Sequence, residues 1–327
     1  GDHRDLHSFP TRRSSDLQDY TTVIPAYHYK QIGGDDEASK GIYKYSLAEL
    51  PPTKFDWSNM EDYYDGTETD ASADAVAELM RYCGQSVLMS YDQNGSGAVL
   101  QSVSLKYFGY DSRATYVFSS DYSIKEWDIL VYQEISKDRP VWYSGDNSQE
   151  GHCFVLDGYD GYGNYHVNWG WSGYCNGFFK LSVLNPYDNS ETAAGLYNKS
   201  QKAVIGIQPP NNNDEIIGRK LGTLMYNCTN SYLQACFTNN SIYDVDAFIG
   251  FGILNDDGNL SVIQSEESHV EAYRINDDGA GFMASSKNII MYISETELPN
   301  GSYKITPIWR EPSEPEWHTD SNDYAIG

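Results

Sequence analysis

A turn-rich hexapeptide between two short apolar segments constrains the fold of this chain more than any other feature. Residues 158–163 read GYDGYG, and the segments on either side are rich in β-branched and aromatic residues. This pattern predicts one antiparallel hairpin. Residues equally far from the turn lie opposite one another, so the two outer ends of the strands should meet. We therefore expect His152 beside the side-chain amide of Asn168 and the indole of Trp169.

Strand alternation limits what His152 can do in this hairpin. His152 and Phe154 should point to one face of the sheet and Cys153 to the other. A histidine held by an amide or an aromatic neighbour is suited to act as a general base, but Cys153 points away and cannot easily be its thiol. The same alternation prevents His152 and Cys153 from binding one zinc ion together with Asp157 and His166. We therefore expect no metal and no cofactor, and such a histidine taken alone is more often structural than catalytic.

Helical patterns precede the hairpin, and strands surround it. Apolar residues spaced by three and four predict a helix over residues 72–83, capped by Ser72. A later helix should begin at Ser123, because Ser123 and Glu126 have the spacing of a capping box. Helices followed by an antiparallel meander indicate an α+β domain over residues 18–208.

The pattern changes after this domain. Prolines and asparagines dominate residues 209–214, which we interpret as a linker. Residues 215–327 lack a helical period and contain short strands between Asn, Asp and Gly turns, which predicts an all-β sandwich of the immunoglobulin-like kind. Cys228 and Cys236 flank a turn in this half, and their positions fit either a disulfide across a hairpin or two free thiols.

Charge limits the possible partners. The 327 residues include 22 Lys and Arg against 47 Asp and Glu, a net charge of −25 at neutral pH. Such a surface excludes nonspecific binding to phosphate backbones and argues against docking on anionic lipid. No apolar run approaches the ~18 residues of a transmembrane helix. We expect no nucleic-acid partner and no membrane insertion.

The first 17 residues, GDHRDLHSFPTRRSSDL, do not match the rest of the chain. They contain Arg4, Arg12 and Arg13, whereas the next arginine is Arg81. They also lack a helical or strand period. We interpret residues 1–17 as a non-native leader and exclude them from the fold.

A longer block makes the hairpin specific. EGHCFVLDGYD, followed by NYHVNWGWSGYCNGFFKLSVLNP, resembles the histidine-bearing half of the streptopain family of secreted, papain-like cysteine peptidases. The similarity covers about residues 20–208 and includes FDWSNM at 55–60. The resemblance implies a papain-like fold, a secreted or cell-surface location, and protein or peptide substrates.

The resemblance also implies roles for individual residues. His152 matches the catalytic histidine of the family, and Asn168 and Trp169 match the pair that orients and shields it. The positions that match substrate-binding segments are Gly151, Ser96 and Gly97.

One element of the family pattern is missing. The family's nucleophile lies in a Gly-Cys-Val-Ala-Thr-Ala type segment at the start of a helix, before the region that matches residue 18, and this sequence contains no such segment. Cys83 lies at the end of its predicted helix, where the helix dipole disfavours a thiolate, and no helix start is predicted beside Cys175. We therefore expect a partial peptidase domain without its nucleophile, inactive as it stands, and an inhibitory pro-domain in the full-length protein.

Two functions remain open at this point. The first is a cysteine endopeptidase that hydrolyses peptide bonds through a Cys-His pair and an acyl-enzyme. The second is a secreted, non-catalytic protein that retains the fold and binds peptides or glycans. In the second case Trp169 and Trp171 would form a stacking platform.

Overall fold

The computed structural model describes residues 21–33, 41–91, 96–98, 102–147, 150–186, 196–210, 218, 220–229, 231–255, 257–275, 282–283, 286–299, 301–319 and 324–326. The predicted leader at residues 1–17 and most of the predicted linker lie outside these residues. In the described part, no helix combines the length and the apolar character that crossing a membrane requires.

The first half of the chain contains both helices and strands, in agreement with the predicted α+β class. Its two α-helices are α1 (Asp70–Ser86) and α2 (Ile124–Ser136). Its strands are β1 (Tyr27–Gly33), β2 (Gly41–Leu47), β3 (Thr115–Phe118), β4 (Val141–Asp146), β5 (Gly151–Tyr159), β6 (Tyr165–Asn168), β7 (Gly177–Phe179) and β8 (Lys199–Ile205). A 3₁₀ helix occupies Ser102–Phe108.

Helix α2 begins where the sequence predicts. The Ser123 hydroxyl accepts from the backbone N–H of Glu126, and the Glu126 carboxylate accepts from the backbone N–H of Ser123, so the capping box is complete. These two bonds satisfy N–H groups that a helix start otherwise leaves unpaired. The buried face of the helix packs Trp127, Leu130 and Val131 against the sheet.

Helix α1 is longer than the sequence predicts and starts earlier. Its N-cap is Thr69, whose side chain accepts from the backbone N–H of Ser72, so the prediction that Ser72 is the cap is wrong. The expected apolar face is also rotated, because Met80 is 67 % exposed whereas Tyr82 is buried. The Tyr82 hydroxyl donates to the Pro51 carbonyl, which ties the helix to the preceding loop.

A six-stranded sheet with the order β3-β8-β4-β5-β6-β7 forms the centre of this half, and each neighbouring pair of its strands is antiparallel. Strands β5 and β6 make the predicted hairpin. Their register shifts between Leu156 and Gly158, so residues equally far from the turn are not paired beyond this point. One face of this sheet, together with α2, encloses the largest core of the first half.

The described part of the second half contains strands and one short 3₁₀ helix. The strands are β9 (Leu221–Cys228), β10 (Tyr232–Asn239), β11 (Val245–Leu254), β12 (Leu260–Val270), β13 (Arg274–Ile275), β14 (Phe282–Met283), β15 (Ser286–Tyr292), β16 (Tyr303–Arg310), β17 (His318–Thr319) and β18 (Tyr324–Ile326). A sheet with the order β15-β10-β9 and a second sheet containing β12-β11-β16-β17 contribute to one shared core.

Cys228 and Cys236 do not form the disulfide that their spacing allowed. In the pairing of β9 with β10, Cys228 lies opposite Leu233 and Cys236 lies opposite Leu224, so the two thiols are not cross-strand partners. All five cysteines of the chain are free.

One backbone segment of the second half contacts the first half directly. The Asn240 carbonyl accepts from the backbone N–H of Tyr116 at 2.8 Å and from the Ser102 hydroxyl at 3.2 Å. Next to it, Ser241 forms a β-bridge with Thr115. The edge strand β3 of the central sheet is thus covered by the second half.

Candidate active site

His152 lies near the start of β5, opposite Gly145 of β4. Alternate residues of β5 are buried from Phe154 to Leu156, and the His152 ring contacts the Phe154 ring, with 6.1 Å between centroids. Cys153 is exposed and belongs to the other set of alternating residues. The predicted separation of His152 from the thiol of Cys153 is therefore confirmed.

The imidazole of His152 is held by a backbone group of Trp169, the residue that directly follows β6. Its Nε2 lies 2.8 Å from the carbonyl oxygen of Trp169. A carbonyl can only accept a hydrogen bond, so Nε2 carries the proton and donates it. In the neutral ring Nδ1 is then the basic nitrogen, and within the described part of the chain it has no hydrogen-bonding partner. The arrangement leaves one nitrogen positioned and the other available to take a proton.

Aromatic rings surround the imidazole. The Trp171 ring stacks on it with centroids 4.7 Å apart and planes inclined by 26°, and the Trp169 ring lies nearly parallel at 6.2 Å. The ring of Tyr197, which lies in the segment just before β8, also packs against the imidazole, with 5.6 Å between the centroids. Trp171 lies three residues beyond the end of β6, after the backbone turns at Gly170, and its ring reaches His152 from there.

Burial lowers the pKa of His152 below its ordinary value, although the bond to the Trp169 carbonyl and the negative charge of Glu150 both act to raise it. Desolvation disfavours the charged ring and outweighs these two effects. His152 is therefore neutral at neutral pH, the protonation state that a general base needs.

The structure brings Trp169 to His152 but gives Asn168 a different contact from the expected one. The Asn168 side-chain oxygen accepts from the backbone N–H of Gly170 at 3.0 Å. Gly170 has a φ of +77°, so this bond stabilises a turn immediately after Trp169. Asn168 therefore shapes the segment that presents the Trp169 carbonyl, and it is the carbonyl, not the side-chain amide, that holds the ring.

Trp169 cannot form part of a sugar-binding platform. Its side chain is 0 % exposed, and it packs between Phe154, Phe179 and the other aromatic rings of the site. The Trp169 Nε1–H is buried and has no hydrogen-bonding partner among the residues that the structure describes. Trp171 is only partly buried, so of the two indoles it is the one that reaches the surface.

The expected substrate-binding residues lie at exposed positions. Gly151 precedes His152 and pairs with Asp146 of β4. Gly97 forms a bridge with Ser90 through two backbone hydrogen bonds, and Ser96 precedes it at the surface. The described contacts of Ser96 and Gly97 do not join them to His152.

None of the five cysteines contacts the His152 ring in the described contacts. Burial raises the pKa of the Cys83 thiol to about 11, which opposes thiolate formation at the end of α1. Cys175 has a φ of +63° and packs in a loop against the core around Trp169. Cys228 and Cys236 belong to the second half.

Tyr197 was not predicted from the sequence as a contact of His152, and Trp171 was considered only together with Trp169 as a stacking platform. The second tryptophan of NWGW was a visible aromatic signal beside Trp169, but strand alternation does not place it, because β6 ends at Asn168 and the backbone turns at Gly170. Tyr197 had no comparable signal, because it lies 45 residues after His152 and reaches it only through the order of the strands.

Tyr197 is held in place by its backbone as well as by its ring. A Cβ atom added to Gly145 would lie 2.0 Å from the Tyr197 carbonyl oxygen, a distance that forces a backbone to move. We expect Gly145→Ala to destabilise the protein by about 1–3 kcal/mol, measured by urea unfolding. Gly97→Ala is the control, because an added Cβ meets nothing within 4 Å there. Equal stability of the two variants would contradict the close approach.

Part of this chain is similar in sequence to known proteins. The model of the Peptidase C10 family matches residues 21–179. Streptopain of Streptococcus pyogenes is 37 % identical over 211 residues, which are 62 % of this chain and 49 % of streptopain. The thiol protease/hemagglutinin PrtT of Porphyromonas gingivalis is 35 % identical over 162 residues, which are 48 % of this chain and 19 % of that protein.

A solved structure is also similar. The interpain A cysteine protease of Prevotella intermedia is 32 % identical, and the match covers 57 % of this chain and 76 % of that one with a TM-score of 0.46. The chain spans about half the length of streptopain, the curated relative reported above.

The sequence similarity to streptopain and to the thiol protease PrtT, together with the α+β fold and the fixed His152 ring, supports by resemblance the class of cysteine peptidases for this part of the chain. Within this class, residues 21–179 match the Peptidase C10 family, which confirms the resemblance to the streptopain family that the histidine block suggested.

Proposed function

We propose that this protein is a cysteine endopeptidase in which His152 transfers the protons of peptide hydrolysis. The observation that carries the proposal is the hydrogen bond from His152 Nε2 to the Trp169 carbonyl, which leaves Nδ1 as the available base. Asn168 and Trp169 are positioning residues in this proposal. Gly151, Ser96 and Gly97 bind the substrate backbone.

The proposed reaction follows from the available nitrogen. Nδ1 takes the proton of a cysteine thiol, and the thiolate attacks the carbonyl carbon of the peptide bond. The imidazolium then gives its proton to the leaving amine, which leaves an acyl-enzyme. Next, Nδ1 takes a proton from water, whose oxygen attacks the acyl carbon and releases the acid. The thiol regains its proton, so atoms and charges balance over the cycle.

We propose further that the nucleophile is not one of the five cysteines of this sequence. Cys83 has a raised pKa, Cys153 points to the other face, and Cys175 packs against the core. A nucleophilic cysteine needs an electropositive position such as a helix start. A segment encoded before residue 18 would supply it in the longer protein, by which we mean this chain preceded by that segment.

The domain organisation belongs to the same proposal. Residues 18–208 form a partial papain-like domain, residues 209–214 a linker, and residues 215–327 an immunoglobulin-like sandwich. The two facing sheets and their shared core support the last assignment. Peptides or proteins are the substrates, a pro-domain precedes the mature enzyme, and the protein is secreted or located at the cell surface.

We expect the 327-residue chain alone to release no fluorescent fragments from labelled casein, because it lacks a thiolate beside His152. The longer protein should cleave casein and should react with a thiol-directed epoxide inhibitor. Cleavage by the 327-residue chain that thiol alkylation stops would contradict the assignment of the nucleophile. If the start codon of the gene instead lies directly before residue 18, with no cysteine segment upstream in frame, the non-catalytic binding protein is favoured.

A further inference from the structure

Glu150 lies beside the proposed catalytic histidine but has no role in the proposed chemistry. It is exposed, it precedes Gly151, and it is two residues from His152. Its backbone is held by a turn, since its N–H donates to the Asn147 side chain at 2.8 Å and its carbonyl accepts from the Asn147 N–H at 2.9 Å. The backbone at this position is therefore well defined.

The carboxylate of Glu150 is also held. Its Oε1 accepts from the hydroxyl of Tyr197 at 2.9 Å. Tyr197 is itself 1 % exposed, and its ring contacts the rings of both His152 and Trp169. A buried tyrosine of the site thus anchors an exposed carboxylate, whose other oxygen, Oε2, has no partner among the described residues.

The two carboxylates near Gly151 lie on opposite faces of the sheet. A Cβ added to Gly151 would meet Asp146 Oδ1 at 2.6 Å, so Asp146 is on the Gly151 face. His152, which follows Gly151 in the strand, points to the other face, together with Tyr197. Because Tyr197 contacts both Glu150 and His152, the Glu150 carboxylate is on the side where the reaction is proposed.

We propose that Glu150 determines substrate specificity by selecting peptides with a Lys or Arg side chain beside the cleaved bond. The inference rests on the proposed function. A strand advances about 3.3 Å per residue, so a carboxylate two residues from His152 faces a substrate residue within about two positions of the cleaved bond. The carboxylate is exposed, is held by its tyrosine anchor and attracts a cationic side chain there.

The test uses the longer protein and capped octapeptides of Ala, Ser and Leu in which each position in turn carries Lys or norleucine. Norleucine has a similar length without the charge. We expect kcat/KM to be about three- to fivefold higher for Lys than for norleucine at one position near the cleaved bond, as for an exposed ion pair. This ratio should fall toward one when salt rises from 20 to 500 mM, since salt screens exposed charges.

Glu150→Gln keeps an acceptor for Tyr197 and removes the charge, so it should abolish the Lys preference. Asp146→Asn is the matched control, because it removes the same charge from the opposite face and should leave the ratio unchanged. An unchanged ratio in Glu150→Gln, or no Lys preference in the unaltered enzyme, would overturn this inference while leaving the proposed function intact. Failure of the longer protein to cleave any peptide would overturn both.

Discussion

Replacement of His152 by alanine in the longer protein is expected to lower kcat for casein-derived peptides about a thousandfold or more, since one residue acts as both base and acid. The structure explains why no ring in contact with His152 can substitute. These rings belong to Phe154, Trp169, Trp171 and Tyr197, and none of these side chains is a base at neutral pH. The measurement is steady-state cleavage together with thermal unfolding, which verifies that the variant is folded.

The hairpin offers a matched control for this experiment. His166 lies on the partner strand, and its Nδ1 is 2.5 Å from the carboxylate of Asp157, away from the site. His166→Ala should change kcat less than about threefold, as expected for a residue outside the reaction. Equal losses in the two variants, or normal turnover in His152→Ala, would show that His152 is not the base.

Replacement of Arg139 by alanine is expected to destabilise the first half by about 3–5 kcal/mol, the usual cost of leaving a buried charge unpaired. Glu134 is 0 % exposed and Arg139 is 3 % exposed. The Arg139 Nε–H donates to Glu134 Oε2 at 2.8 Å, and its Nη2–H donates to Glu134 Oε1. Glu134 Oε2 also accepts from the backbone N–H of Gly206, just after β8.

The network continues beyond this ion pair. Arg139 Nη1 donates to the side chain of Gln208 at 3.2 Å, and Gln208 donates to the carboxylate of Asp111 at 2.8 Å. Removal of Arg139 would therefore leave the buried carboxylate of Glu134 without its counter-charge and would remove the hydrogen bond from Arg139 to the Gln208 side chain. Urea unfolding followed by far-UV circular dichroism measures the loss.

Arg113 supplies the comparison for Arg139. It pairs with Asp111 through two nitrogen atoms, but its side chain is 38 % exposed. Arg113→Ala should cost about 1 kcal/mol or less, because water can replace the pair. A loss in Arg139→Ala no greater than in Arg113→Ala would contradict the importance of the buried network.

Local signals in the sequence predicted several elements well. The capping box at Ser123, the hairpin around residues 158–163 and the proximity of His152 to Trp169 all depend on residues close in sequence, and the structure confirms each of them. Such features follow from hydrogen bonds and alternation over a few residues. They need no knowledge of the distant parts of the chain.

Features that depend on packing were predicted less well. Neither β3 nor β8 was predicted from the sequence, because their positions in the central sheet depend on long-range strand pairing. The register shift at Leu156 and Gly158 displaces β6 relative to an even count from the turn. A bulge of this kind has little signature in the sequence, and it explains why the Trp169 backbone, not the Asn168 amide, reaches His152.

The cap of α1 shows how two plausible local signals compete. Both Thr69 and Ser72 can cap a helix. Ser72 was the predicted cap because it is nearer to the apolar residues that are spaced by three and four. In the structure Thr69 is the N-cap of α1, and Ser72 lies within the first turn of the helix with its side chain buried. The packing of the first helical turn decides between these two caps. The periodicity of apolar residues carries no information about that packing.

The Asn240 carbonyl has a consequence for how this protein can be divided. A fragment that stops before the second half would leave the amide of Tyr116 and the hydroxyl of Ser102 to seek solvent, at a sheet edge that then becomes a site for aggregation. The first half of the chain is thus joined to the second by hydrogen bonds as well as by the connecting backbone. Truncation near residues 209 and 210 would expose the edge of β3.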